Sequence, residues 1–198
     1  MNITQDKHFQ SFISYIRFEK RFSAHSVTAY FNDLLQFYVF LKTDFEIEDI
    51  TEVQHPFIRS WIAGMMETEI TPRSINRKIA TLRAYFRFLV KQGVFQQSPM
   101  TKIVAPKTSK RLPVYVDEAR MDKLFDENAF EKGFEGDRDR MIIELFYATG
   151  MRLSELIGLK LDSLDLNKCQ VKVLGKETKK ESFRLLMSFA TRFVILSM

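Results

Sequence analysis

Apolar residues recur at intervals of three and four through the first half of this chain, and that spacing leaves helix as the only regular structure able to bury them on one side. The clearest run opens at Thr71-Pro72, where proline occupies a first helical position whose N–H would be unpaired in any case. It continues through Ile75, Ile79, Leu82, Phe86 and Leu89, a single buried stripe. Three more stripes precede it: Phe9, Phe12, Ile13, Ile16; then Val27, Tyr30, Phe31, Leu34, Phe37/Tyr38, Leu41 after Ser23 as an N-cap; then Phe57, Ile58, Trp61, Ile62, Met65. Four amphipathic helices on short connections predict a small four-helix bundle, with Trp61 in its core.

The helix that starts at Pro72 carries a second message on its other side. At about 100° per residue, Arg73, Arg77, Arg87 and Lys91 project opposite the apolar stripe. Ser74 and Asn76 stand near its start, where short polar side chains reach base edges while arginines hold phosphates. Lys78 and Arg83 join them as candidate contacts to a polyanion. From Ile70 to Val116 the sequence holds no Asp or Glu, yet this window contains all of those cations together with Lys102, Lys107, Lys110 and Arg111.

The basicity is local. Residues 1–111 hold sixteen Lys and Arg against ten Asp and Glu, a net of +6, whereas residues 112–198 hold fourteen against fifteen, a net of −1, which together give the chain's +5. A patch of this kind, with no acid to offset it along the helix, points to nucleic acid.

Pro99, Pro106 and Pro113 bracket a stretch poor in apolar residues, and proline denies it a helix. The expected organisation is a helical domain over residues 1–92, a basic linker over 93–112, and a second domain over 113–198. In that second domain Asp117 is placed to cap a helix bearing Met121, Leu124 and Phe125. Arg140 to Tyr147 forms the interior of another, and Gln170–Leu174 with Phe183–Met187 reads as a β-hairpin.

Other chemistries find little support. The acidic cluster Asp126, Glu127, Glu131, Glu135, Asp137, Asp139 alternates with Lys132, Arg138 and Arg140 near a helix start, where acids are favoured without any metal. His8, His25 and His55 are spaced unlike zinc ligands. The one cysteine, Cys169, rules out an internal disulfide framework. Met1 to Asp6 does not read as a signal peptide, and the apolar run Leu34 to Leu41 is too short to span a bilayer, so the cytosol and no membrane partner are the expectation.

The most informative local motif is Tyr147-Ala148-Thr149-Gly150-Met151-Arg152-Leu153-Ser154-Glu155-Leu156. Thr149-Gly150 punctuates one helix and Leu153, Leu156, Ile157 begin the next, so Arg152 falls at the positive end of a helix, an unfavourable place for a cation. Two uses compete: a surface pair with Glu155 one turn on, or an anion site built from helix N–H groups and the guanidinium fork. Lys176 sits in a charged turn, Gly175-Lys176-Glu177, where a lysine is ordinarily solvated.

At these residues the chain resembles the tyrosine recombinases, in particular the Xer-type and phage-integrase-like members. Their pattern of Ala-Thr-Gly, apolar, Arg, apolar, Ser-Glu-Leu is matched by Ala148 to Leu156. Their later Leu-x-x-x-Asp-apolar-Asp segment is matched from Leu161 as far as Leu166, and their apolar-x-Gly-Lys by Val173 to Lys176. The resemblance reaches upstream through Asp137-Arg138-Asp139-Arg140 to Ser23, Thr28, Tyr30, Asp33, Leu34 and Phe37. It implies a mainly α fold: a SAM-like core-binding bundle, a basic linker, and part of an α+β catalytic domain with a β-hairpin.

The resemblance also implies a chemistry and its partners. Family members break one strand with a tyrosine hydroxyl, store the bond in a 3′-phosphotyrosyl link, and reseal to a new partner, using no cofactor and no metal. They act as tetramers on two double-stranded DNA sites, the two domains closing around the duplex, in chromosome-dimer resolution or mobile-element integration. Arg152 would hold the non-bridging phosphate oxygens and Lys176 would donate a proton. Losing one such preorganised charge costs about 10²–10³ in rate.

One departure matters. The family's His-x-x-Arg motif and its nucleophilic tyrosine have no counterpart here: the last histidine is His55 and the last tyrosine Tyr147. The segment after Glu181, ending Phe193-Val194-Ile195-Leu196-Ser197-Met198, does not follow the family pattern and reads as truncated or frame-shifted sequence. The expectation is a polypeptide that binds DNA without cleaving it.

Overall fold

The computed structural model describes residues 6–109, 112, 115–125, 129–165, 167–174 and 180–184. The chain divides into two compact units, Met1–Arg111 and Leu112–Met198.

The first unit is built from four helices: α1 (Lys7–Ser14), α2 (Ala24–Phe45), α3 (His55–Glu67) and α4 (Pro72–Lys91). Each begins where local chemistry asks it to. Asp6 accepts the Phe9 N–H at 2.7 Å to start α1, and Ser23 accepts the Ser26 N–H at 3.3 Å to start α2. Thr71 caps α4 by accepting the Ser74 N–H at 3.3 Å, with Pro72 next. Its end is closed by Gly93 at φ 75°, where the Val94 N–H returns to the Leu89 carbonyl at 3.0 Å.

The first stripe departs from a simple helix. After Ser14 the backbone widens into a π-helical turn, Tyr15–Glu19, in which the Lys20 N–H reaches the Tyr15 carbonyl at 3.0 Å. The extra residue per turn keeps Ile16 buried while leaving Phe18 exposed.

The stripes meet in one aromatic core. Phe9, Phe12, Phe37, Tyr85 and Phe86 are almost wholly buried, and Phe37 packs on Trp61 at 5.0 Å between centroids. Full burial of a side chain of this size stabilises by about 1.5–3 kcal/mol. Tyr38 and Tyr85 bring hydroxyls into that core and satisfy each other at 2.6 Å. Burial, first of all, pushes both phenols above their ordinary range. Met100 and Ile103, beyond α4, are also buried against the bundle, so this part of the proline-bracketed segment packs on the first unit.

The second unit contains α5 (Glu118–Leu124), α6 (Phe134–Thr149), α7 (Leu153–Ile157) and a three-stranded antiparallel sheet, β1 (Leu164–Asp165), β2 (Gln170–Leu174) and β3 (Lys180–Arg184), in that order. Asp117 accepts the Arg120 N–H at 2.8 Å at the start of α5. The hairpin register places Val171 opposite Phe183, so the returning strand begins three residues earlier than the alternation Phe183–Met187 suggests. β1 was not anticipated; two residues are too few for a period to show. Its Leu164 lies opposite Val171, and Val171, Leu145 and Met151 are the buried centre of this unit.

No helix among the described residues is long and apolar enough to cross a membrane.

Candidate nucleic-acid interface

Burial on α4 follows the helical period. Ile75, Ile79, Leu82, Phe86 and Leu89 are buried, and the neighbouring arc adds Tyr85 and Phe88. The remaining arc holds Arg73, Arg77, Arg83, Arg87 and Lys91, all exposed. The helix therefore offers solvent a continuous row of cations. Lys91 lies 5.8 Å from the centroid of the Tyr15 ring, which also takes Lys20 at 5.7 Å.

Several of the residues expected to face DNA have partners within the protein. Lys78 is only 6% exposed, and its ammonium meets the Asp33 carboxylate at 3.1 Å and the Gln36 amide oxygen. It is a core cation of the α2–α4 junction rather than a surface contact. A lysine can enter the core only with a partner, and Asp33, itself 1% exposed, is that partner. Asn76 donates from Nδ2 to the Pro106 carbonyl at 2.9 Å, so its amide serves the segment after the bundle and not a base edge. Arg83 sends Nη2 to the Ile103 carbonyl at 2.9 Å. Together these two bonds strap residues 103–106 along one border of the cationic arc.

Asp33 also corrects the electrostatic picture. The basic face lacks acids along its own helix, but Asp33 reaches across from α2, accepting from Arg77 at 2.5 Å and from the Thr81 hydroxyl at 2.9 Å. Arg77 stays half exposed while held by one oxygen, which fixes its direction. The three-residue spacing of Asp33 and Gln36 on α2 and the four-residue spacing of Arg77 and Thr81 on α4 allow this cluster, yet only the packing of the two helices creates it.

Ser74 exchanges a hydroxyl hydrogen bond with Thr71 at 3.1 Å and is spent on the cap. Arg73 and Arg87 project freely, and Lys107 is exposed. Lys110 and Arg111 lie outside the described residues.

In the second unit Arg152 is placed by what precedes it. Gly150, at φ 63°, ends α6 with its N–H on the Phe146 carbonyl at 2.8 Å, a left-handed position that glycine takes without strain. Thr149 bonds back to the Leu145 carbonyl at 2.6 Å and accepts the Met151 N–H at 3.2 Å. Met151 then plugs the small core, leaving Arg152 exposed at the N-cap of α7.

There Glu155 takes both available donors: the Arg152 backbone N–H at 2.8 Å and the guanidinium at 2.7 Å. The backbone bond, and after it the guanidinium, hold the Glu155 carboxyl below its ordinary range. The surface pair with Glu155 is thus the arrangement found, with the guanidinium's other N–H groups turned to solvent. Lys176, the second candidate catalytic residue, lies outside the described residues.

Comparison with known proteins follows the same division. A family model described as the phage integrase N-terminal SAM-like domain matches residues 9–93, and one described as the phage integrase family matches residues 115–194. Tyrosine recombinase XerC of Oceanobacillus iheyensis is 34% identical over 183 residues, covering 92% of this chain and 59% of that protein. XerC of Staphylococcus carnosus is 36% identical over 171 residues, covering 86% and 57%. The chain thus spans somewhat under two thirds of the length of these relatives. Among solved structures, the Tn1549 transposon integrase in complex with a circular intermediate DNA superposes with a TM-score of 0.69 at 16% identity, covering 95% of this chain and 64% of that one, a likeness of fold. A SAM-like helical bundle, a mixed second unit carrying the Ala-Thr-Gly-x-Arg turn, and relatives in both halves place this chain in the phage integrase family of tyrosine recombinases.

Proposed function

We propose that this chain serves site-specific DNA recombination, with the exposed arc of α4 seating duplex DNA and Arg152, together with Lys176, gripping the phosphodiester that is exchanged. The observation that carries the reading is the arc itself. Arg73, Arg77, Arg87 and Lys91 stand on one exposed side of a helix whose opposite side is locked into the core. Exposed, repeating cations on a rigid rod match a polyphosphate of regular spacing. The XerC relatives and the DNA-bound integrase of like fold support the same reading.

At Arg152 the chemistry is electrostatic. A pentavalent phosphorane gains negative charge on its non-bridging oxygens, and a guanidinium with N–H groups free to solvent stabilises that charge. Glu155 orients the guanidinium in the absence of DNA, so the resting side chain is held and not adrift.

A second reading is favoured by one feature of the sequence. Within these 198 residues no histidine follows His55 and no tyrosine follows Tyr147, which lies in α6 ahead of Arg152. A polypeptide of these residues would occupy a recombinase half-site and modulate an intact recombinase without cleaving.

The test is duplex binding across a salt series. Affinity is expected to fall steeply, and Arg87→Ala and Lys91→Ala each to reduce the slope of log K against log salt by about 0.9, the share of one phosphate. Binding indifferent to salt refutes the DNA-seating arc. A nicked suicide duplex separates the two readings, since a covalent adduct with the 198-residue chain would exclude the non-cleaving one.

A further inference from the structure

Beside the C-terminal half of α4 lies a cleft of about 370 Å³ whose polar lining is Arg83, Arg87, Gln96, Gln97, Ser98 and Thr101. Its composition is one-sided: two guanidiniums, two amides and two hydroxyls, with no carboxylate. Arg83 and Arg87 are one helical turn apart, so their like charges repel unless an anion joins them. The Asp33 carboxylate that answers Arg77 is engaged at Arg77, Lys78 and Thr81.

The cleft is also preorganised. Arg83 is anchored by its bond to the Ile103 carbonyl, which fixes the guanidinium while leaving other N–H groups of the fork unused. The loop opposite is folded on itself: the Thr101 hydroxyl donates to the Ser98 carbonyl at 2.7 Å, and Ser98 Oγ accepts the Met100 N–H at 3.2 Å. The Ser98 hydroxyl hydrogen is therefore free to donate. Met100, buried in the bundle, pins this loop against the helix. A ligand entering here meets Arg83 and the Ser98 hydroxyl already held in place and loses little to ordering them.

We propose that this cleft receives a single phosphodiester group of the DNA backbone at the border of the α4 footprint, held by Arg83 and Arg87 on one side and by Ser98 and Gln97 on the other. The proposal rests on the DNA-seating role of α4 and adds to it a contact from outside the helix. It gives the segment after α4 a function: the loop 96–101 supplies the second wall of a phosphate seat. The shared chemistry is a tetrahedral phosphate, and inorganic phosphate is the alternative source.

The experiment uses the full chain, duplex DNA and two glutamate substitutions. Gln97→Glu puts a carboxylate in the cleft; Gln92→Glu puts one at the exposed end of α4, outside it. Unchanged thermal midpoints verify folding, and Gln97→Ala supplies a neutral variant if Gln97→Glu unfolds the loop. The salt slope is expected to fall by about 0.9 for Gln97→Glu, so that its affinity deficit at 50 mM salt shrinks about threefold by 200 mM, with a smaller change for Gln92→Glu. Phosphate ethylation interference is expected to lose one position in either Gln97 variant and none in Gln92→Glu. Equal effects of the two glutamates, or an unchanged interference pattern, overturn the cleft while leaving the α4 arc standing. No duplex binding by the unaltered chain overturns both. Tight binding of inorganic phosphate to the cleft with no effect of the Gln97 variants on DNA assigns the cleft to the free anion and overturns the backbone contact.

Discussion

Asp33→Asn is the substitution on which the account of the α4 face turns. The carboxylate accepts three bonds, from Arg77 at 2.5 Å, Lys78 at 3.1 Å and Thr81 at 2.9 Å, and it is 1% exposed. Asparagine keeps its shape but removes the charge. Arg77, with half its side chain exposed, can turn back to water; Lys78, almost wholly buried, cannot, and is left with the Gln36 oxygen and at most one neutral amide oxygen in place of the carboxylate. Breaking a buried pair in this way costs about 3–5 kcal/mol, and because asparagine retains one acceptor and Arg77 recovers its hydration we place the loss near the lower figure.

For a bundle of this size about 3 kcal/mol corresponds to a fall of roughly 12–24 °C in Tm. Trp61 is the chain's one tryptophan and sits in the bundle core, so its fluorescence in a urea titration of the full chain reports on this unit. The double variant Asp33→Leu/Lys78→Met, which replaces the pair by apolar side chains, is expected to regain more than half the loss. A single-variant loss under about 1 kcal/mol, or a double variant no better than the single, refutes the argument that Lys78 is a core cation dependent on Asp33.

Two further outcomes follow from named contacts. Tyr38 and Tyr85 are held protonated by burial, so of the six tyrosines these two are expected to ionise only as the bundle unfolds, which absorbance titration with parallel circular dichroism detects. Because their folded values are raised, this contribution to stability is complete below the ordinary phenol value of 10.0 and is lost as pH climbs beyond it; six phenols titrating together with the helices intact would contradict it. Glu155 is expected to titrate below the ordinary 4.5 by NMR, and the start of α7 to loosen as pH falls through that lowered value. Arg152→Ala should leave most of that depression, because the backbone N–H is the larger cause and alanine keeps it; full reversion to the ordinary value rules this out.

Much of the fold could be read from periodicity. The stripe through Ile75, Ile79, Leu82, Phe86 and Leu89 and its three companions located all four bundle helices, since a 3.6-residue period sorts side chains before any packing occurs. Local punctuation was equally legible: Thr71-Pro72 opened a helix and Gly150 closed one through interactions within a few residues. Short or widened elements escaped. The π-helical turn at Tyr15 and the two-residue β1 carry no period of their own and exist because neighbours pack on them.

The site divides the same way. Sequence alone determined which helix would bear the cations and that Arg152 would stand between two helices, because both are consequences of spacing along the chain. Which cations remain available was decided by tertiary structure. Arg73, Arg87 and Lys91 face outward, Lys78 is drawn into the core by an acid forty-five residues away, Asn76 is turned onto the carbonyl of a later segment, and Arg83 stays exposed but is tethered to another such carbonyl by one arm of its fork. The physical reason is that a charge or an amide takes the partner nearest in space once water is excluded, and nearness across helices is not written in the period of either one.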